Sequence, residues 1–276
     1  MMGGAMMGGA MADRLGRLGR FVWSAWAGLT GMALFCALWQ AGNEHYGDFI
    51  MPAPLAVMAM VWTILGEPGT WGLAALTLGR AAQGFALATL VGMAGGLAAG
   101  YSPATMRLSR PILTLLLGVP PIAWIVLAMI WFGSTNGTVV VTVVVACTPL
   151  IFVTTAEGAM TRDRGLDDMA RAFGAGPLTR LWTIGLRHVA AFVFPSLTVS
   201  LGGAIKVAVM AELLLNIGGM GGALAMARSN LDVAEALAWI LLSVAGLVAA
   251  EYLFLRPLHA ELERWRDAAR PWGVRR

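Results

Sequence analysis

Charge is scarce in this sequence: Asp, Glu, Lys and Arg make up 12% of its 276 residues. A soluble domain carries about 25%. With 58% of residues hydrophobic, the deficit excludes one large soluble core and points to a chain that lives in lipid. Lysine is scarcer still. The sole lysine, Lys206, follows "LGGAI" inside an apolar run. No G-x-x-x-x-G-K-[ST] can be built around it, so the chain has no phosphate loop of the usual kind. The two cysteines, Cys36 and Cys147, fall inside apolar runs and read as small buried side chains, which excludes a disulfide framework. The three histidines, His45, His188 and His259, are scattered and make no metal-ligating spacing. No G-x-S-x-G and no paired carboxylate stands in a catalytic context. The residues describe neither an ATPase nor another enzyme, and they call for no cofactor or metal on this chain.

Long apolar runs are what the sequence has instead. A bilayer core about 30 Å thick needs roughly 20 apolar residues of helix. Six stretches approach that length, at about 21–41, 80–100, 112–132, 138–158, 190–214 and 236–256. The expected class is an all-α membrane protein with six transmembrane helices. Its net charge is +4, and eighteen of the nineteen basic residues are arginine. Their placement matters more than their sum, and no nucleic-acid partner follows from it. With the first residues inside the cell, sixteen of the nineteen fall in the segments 1–20, 101–111, 159–189 and 256–276. Positive charge collects on the cytoplasmic side of membrane proteins, so both termini are expected there.

The opening "MMGGAMMGGA" is a tandem repeat without charge or amphipathic pattern; residues 1–13 are expected to be a disordered tail. "RLGRLGR" precedes the first apolar run, which reads as an uncleaved first helix because further runs follow it. The transmembrane domain is placed at 14–266, with a cytoplasmic loop at 159–189 and a cytoplasmic tail at 267–276.

Some residues inside the runs need an explanation. "GMAGGLAAG" spaces Gly92, Gly96 and Gly100 four apart, a bare helix face that admits a close neighbour, or else a chance of glycine-rich composition. Pro120 and Pro121 in "GVPPIAW" must distort the third run. They line a cavity or kink a structural helix, and Trp124 beside them is a candidate for the same path. Lys206 and Glu212 are charges within the fifth run, where charge is costly and faces a cavity or a partner. Six residues of helix put them on different faces. Lys206 shares its face with Gly202, Gly203 and Met210. It either borders a path that favours an anionic group or pairs with an acid such as Glu157 or Glu251. Glu212 precedes "NIGGMGGAL" and either shapes a gate there or bonds neighbouring backbone at a helix end.

The 159–189 segment is the longest hydrophilic stretch between runs. Asp167 and Asp168 suit the first turn of a helix, where the dipole favours negative charge. Met169 and Phe173, four apart, share one face. Gly174 can take the left-handed conformation that ends a helix, and Pro177 can start the next. The expected shape is helix, sharp bend, helix, with an apolar side that needs a partner.

This segment resembles the EAA loop of ATP-binding-cassette (ABC) importer permeases, whose pattern is E-A-A, three residues, G, nine residues, I-x-L-P. The glutamate falls on Asp168, the alanines on Met169 and Ala170, the glycine on Gly174, and Ile184 and Leu186 follow at the right distance. Arg187 stands where the pattern has proline. "MPAPLAV", "GVPPIAWIVLAMIWFG", "KVAVMAELL" and "LERWR" are similar to segments of the nitrate/taurine/sulfonate class of these permeases, in matching order over residues 15–266. The resemblance implies a type I importer permease fold in a bacterial inner membrane. It implies a second permease copy, two ABC ATPase subunits that bind ATP and magnesium, and a periplasmic substrate-binding protein. Asp168, Met169, Ala170, Arg171, Phe173 and Gly174 would then couple to the ATPase. Pro120, Pro121, Trp124, Lys206, Met210 and Glu212 would line or gate the path of a small anionic solute such as a sulfonate, taurine or nitrate. The competing reading from the residues is an ion-coupled secondary transporter using Lys206 or Glu212; the inverted repeats common in such proteins are not visible.

Overall fold

A computed structural model describes residues 26–161 and 164–255. The expected tails, the segment "LERWR" and the terminal arginines lie outside the described residues. So do residues 21–25 of the first expected run.

Every described element is helical. Residues 26–46 form α1. It is followed by α2 (Pro54–Gly66), α3 (Pro68–Tyr101), α4 (Pro103–Gly118), α5 (Pro121–Phe132) and α6 (Asn136–Met160). Next come α7 (Arg164–Ala172), α8 (Pro177–Arg180), a π-helical turn at Leu181–Gly185, α9 (Leu186–Leu215), α10 (Met220–Ser229) and α11 (Val233–Ala250), which ends in a second π-helical turn at Glu251–Leu255. Proline opens five of these helices, at Pro54, Pro68, Pro103, Pro121 and Pro177. Its fixed φ is pre-set for a first helical position, where no amide hydrogen is needed. Side-chain caps start others: Ser102 accepts from the Thr105 amide at 3.3 Å, Thr135 from Thr138 at 3.3 Å and Asp232 from Glu235 at 2.9 Å.

Among the described residues four helices are long and apolar enough to cross a membrane: Pro68–Tyr101, Asn136–Met160, His188–Leu215 and Val233–Leu253. The count is five when α4 and α5 are taken as one broken span. Boundaries differ from the sequence expectation: α1 ends at residue 46 and not 41, and α4 begins at Pro103, inside the segment 101–111 expected between runs. The run expected at 112–132 is not one helix. It breaks at Val119 and Pro120, and α4 and α5 meet at 99°. Pro121 has no amide hydrogen to continue the α4 ladder, so the chain turns there. The run expected to begin at residue 80 begins at Pro68, twelve residues earlier. "GTWGLAALTLG" is itself apolar and helix-compatible, so Arg80 lies inside the helix and does not mark its start.

The core is a parallel pair. A Cβ at Gly84 would stand 2.6 Å from Val143 Cβ, at Gly92 2.9 Å from Ile151 Cβ, and at Gly96 2.6 Å from Thr155 Cβ. Each partner lies 59 residues further on, so α3 and α6 run side by side in one register. Bare glycine faces allow this approach, and dispersion across it holds the pair, since apolar burial distinguishes little between helix and lipid. α9 runs antiparallel to α6. The Thr154 and Ser196 hydroxyls meet at 2.7 Å, and Cys147 Sγ donates to the Ser200 carbonyl at 3.4 Å. Ala88, Val143, Ile151, Val193, Ala204 and Ala208 fill the space among the three helices. A second cluster, with Val57, Val61, Met220, Ala227 and Trp239, joins α2, α10 and α11.

Candidate functional site

Two regions carry the polar chemistry, and α9 joins them. The first is the elbow between α6 and α9. Helix α7 ends as its sequence requires: Gly174 takes φ +78°, the Ala175 amide donates to Ala170 O at 2.9 Å and the Gly174 amide to Arg171 O at 3.0 Å. These are the paired bonds of a left-handed helix stop, which satisfies carbonyls that the helix end leaves open. The chain re-enters helix at Pro177. Asp167 braces the bend: both its oxygens accept from Arg180 Nη1 at 3.3 Å, and Arg171 lies 3.8 Å from one of them. Asp168 is exposed and makes no hydrogen bond or ion pair among the described residues. Leu166, Met169 and Phe173, spaced three and four apart, put an apolar stripe on the exposed side of α7, and Phe173 is 85% exposed. Ala170 is half-buried. Of the six residues expected to act together, Asp168, Met169, Ala170 and Arg171 lie in α7, and Phe173 and Gly174 in the turn that follows it. Sequence reasoning missed the place of Leu166 in the stripe and the bonds from Arg180 to Asp167.

The second region is a buried ionic cluster. Arg80 of α3 reaches Glu212 of α9, Nη1 to Oε1, at 2.5 Å. Thr77 Oγ1 donates to Glu212 Oε2 at 2.7 Å, and the Gly221 amide donates to the same oxygen at 3.1 Å. Arg80 Nη2 donates to Asn136 Oδ1 at 2.7 Å, and Nη1 also donates to the Gly218 carbonyl. The Met220 amide donates to Thr77 Oγ1 at 2.8 Å. Glu212 is 0% exposed. A buried charge is costly unless it is paired and hydrogen-bonded, and here both carboxylate oxygens of Glu212 accept bonds, while Arg80 Nε has no partner among the described residues. The cluster ties the third and fourth turns of α3, the first residue of α6, the end of α9 and the loop into α10. Asn216 leaves α9 at φ +51°, and Gly219 turns at φ +134°, packed against the Glu212 carboxylate too closely for a side chain. Arg80 stands within an apolar run and is the matching charge for Glu212; an intramembrane arginine opposite an intramembrane acid is the signal that could have named it.

Between these regions α9 has two unlike faces. Ser196, Ser200, Ala204, Ala208, Ala211 and Glu212 are buried. Val199, Lys206, Met210 and Leu214 are exposed along the other side, and a Cβ at Gly203 would meet open space. Lys206 forms no ion pair among the described residues, and neither Glu157 nor Glu251, both exposed, pairs with it. Glu212 lies off this open face, as six residues of helix rotation require. Pro120 caps α5, Pro121 is its first residue, and Trp124 follows on its first turn, half-buried. The Trp124 Nε1 hydrogen is buried without a partner among the described residues.

Comparison with known proteins agrees with this anatomy. Residues 88–264 match the family described as binding-protein-dependent transport system inner membrane component. A taurine transport system permease protein of Escherichia coli (strain K12) is 27% identical over 245 residues, covering 85% of this chain and 87% of that one. A nitrate import permease protein of Synechococcus elongatus is 28% identical over 200 residues, covering 69% and 72%. A putative aliphatic sulfonates transport permease protein of Bacillus subtilis is 25% identical over 244 residues, covering 87% and 88%. The matched residues include the elbow, the broken α4–α5 pair and the whole of α9. This is a multi-pass transport subunit of the bacterial inner membrane, served by an ATPase on a separate chain, and it belongs to the family of binding-protein-dependent transport system inner membrane components.

Proposed function

We propose that the chain is the permease of an ATP-driven importer for a small anionic solute, of the chemical kind that a sulfonate, taurine or nitrate represents. It crosses the membrane six times with both ends in the cytoplasm, pairs with a second copy, and works with two ATPase subunits and a periplasmic binding protein. The elbow is then cytoplasmic. Asp168, Met169, Ala170, Arg171, Phe173 and Gly174 form the helix that seats in the ATPase, with Leu166 extending its apolar stripe. Closure of the ATPase pair pushes this helix and reorients the spans as rigid bodies.

The observation that carries the reading is the position of Lys206. It sits mid-helix on the uncovered side of α9 with no counter-charge among the described residues. An ammonium facing hydrocarbon at such a depth costs about 3 kcal/mol on insertion scales, so this face is better suited to a polar path. Met210 and Val199 extend that face. Trp124 supplies an unsatisfied indole donor of the kind that an anion accepts from, beside the Pro120–Pro121 break. Glu212 shapes the outer end through the loop that it holds. The names of the three relatives are consistent with an anionic or zwitterionic cargo. Family membership speaks against ion-coupled transport through Lys206 or Glu212.

The test is reconstitution with the ATPase and binding protein encoded beside this chain. ATP-dependent uptake of labelled taurine, nitrate or an alkanesulfonate is expected, and Phe173→Asp is expected to abolish co-purification of the ATPase. Uptake without any ATPase present would remove the proposal.

A further inference from the structure

Elbow and ionic cluster stand at the two ends of one helical run. From Pro177 through the π-helical turn to Leu215 no residue leaves helix. A displacement of α7 therefore enters α9 at one end, while Glu212 holds the other. Between them the buried face of α9 carries small side chains, Ser196, Ser200, Ala204, Ala208 and Ala211, alongside the larger Val193, Phe194, Ile205 and Val207. The ties that cross this stretch are neutral, from Thr154 to Ser196 and from Cys147 to Ser200. Charge ties α9 to its neighbours at Glu212.

We propose that the Arg80–Glu212 pair, completed by Thr77 and Asn136, is a pivot. It pins the end of α9 and the following loop to α3 and α6. A push at the elbow then turns α9 about that point instead of sliding it along its axis, and so swings the Lys206 face. Arg80, Thr77 and Asn136 are thereby positioning residues for transport. The inference rests on the importer reading above. Two features distinguish a pivot from a latch that opens in each cycle. Opening would strand two charges at a sealed site, where losing one partner is far costlier than keeping the pair. The loop is also built around the carboxylate: Gly218 and Gly221 bond the cluster through their backbones, and Gly219 and Gly221 lie too close to Glu212 to carry a side chain.

The experiment uses the full importer in proteoliposomes, with Cys36 and Cys147 replaced by serine and alanine. Cysteine pairs are introduced between Leu73 or Ala74 of α3 and Ala223 or Leu224 of α10, which share one buried cluster. A pivot keeps α3 and α10 together throughout, so uptake of labelled taurine, nitrate or alkanesulfonate after disulfide formation is expected to stay within about twofold of the reduced state. Uptake that stops on oxidation and returns on reduction would show that the cluster opens, and the pivot is wrong. In a second arm, Glu212→Gln keeps shape and loses charge. ATP hydrolysis is expected to persist while uptake per ATP falls about tenfold or more. If this variant does not assemble, Arg80→Met with Glu212→Leu leaves no unpaired charge and removes the same ties, with the same loss expected. Wild-type uptake per ATP in either variant overturns the proposal. A wild-type complex that takes up none of the three probes with ATP fails the importer reading itself, which the variants do not touch.

Discussion

Arg80 and Glu212 meet at 2.5 Å although 132 residues separate them along the chain. Among the described residues neither side chain has another charged partner, so the pair is a condition of the fold as well as a feature of the site. Removing one partner of a buried pair costs about 3–5 kcal/mol. Glu212→Ala is therefore expected to lower the thermal midpoint in detergent far more than Arg80→Met with Glu212→Leu, which removes both charges. Equal midpoints for the two variants would mean that the unpaired charge is not what destabilises.

The glycine register between α3 and α6 makes a sharper contrast. A Cβ at Gly96 would stand 2.6 Å from the Phe152 carbonyl oxygen, whereas one at Gly79 meets nothing within 4 Å. Gly96→Ala forces the two backbones apart, an overpacking cost of about 1–3 kcal/mol. Gly79→Ala is expected to be neutral or to stabilise by up to about 1 kcal/mol through helix propensity. Differential scanning fluorimetry on the two purified proteins decides it, and a destabilised Gly79→Ala would contradict the register.

At the elbow, Gly174 adopts φ +78° with open space around its α-carbon, so backbone strain and not collision governs substitution. Gly174→Asn, which tolerates the left-handed region, is expected to keep ATPase binding. Gly174→Pro cannot adopt that φ and is expected to lose it. Co-purification of the ATPase with each variant is the measurement, and equal recovery would show that the bend does not present the helix.

Asp167 and Asp168 are neighbours with different tasks. Asp167 is bonded to Arg180, while Asp168 faces outward alone. Asp168→Lys is expected to weaken ATPase association with little change in thermal stability. Asp167→Asn is expected to loosen the elbow, with α7 amides exchanging hydrogen faster. A reversal of these two phenotypes would exchange the roles assigned here.

Lys206 offers the most direct test of cargo chemistry. Lys206→Arg keeps a positive charge on the open face and is expected to keep anion uptake. Lys206→Met is expected to reduce it by roughly tenfold, a typical loss for one charge-assisted contact. Salt-insensitive, wild-type uptake in Lys206→Met would take the lysine out of the path.

Much of this was legible in the residues because the relevant signals are local. Apolar runs of bilayer length show through composition, and α6 and α9 fall close to where they were expected. The elbow could be drawn in outline because its parts are contiguous: acidic first turn, apolar stripe, Gly174, Pro177. Family membership was legible for the same reason, since the Asp168-to-Leu186 spacing is a property of one segment. Several boundaries were not. The apolar residues before Arg80 hid the true start of α3, and a continuous apolar run concealed that α4 and α5 turn by 99°.

By itself, then, the sequence determined that this chain is helical, lives in lipid, carries no nucleotide loop and bends at Gly174, because each follows from residues within a few turns of one another. Only the tertiary structure decided which charges meet. The partner of Glu212 is Arg80 and not Lys206, which stays open on the other face of α9, and Asp167 rather than Asp168 holds the bend. Pairing across 132 residues depends on how helices pack, and here it depends on glycines that bring α3 against α6 so closely that Arg80, Asn136 and Glu212 reach one point.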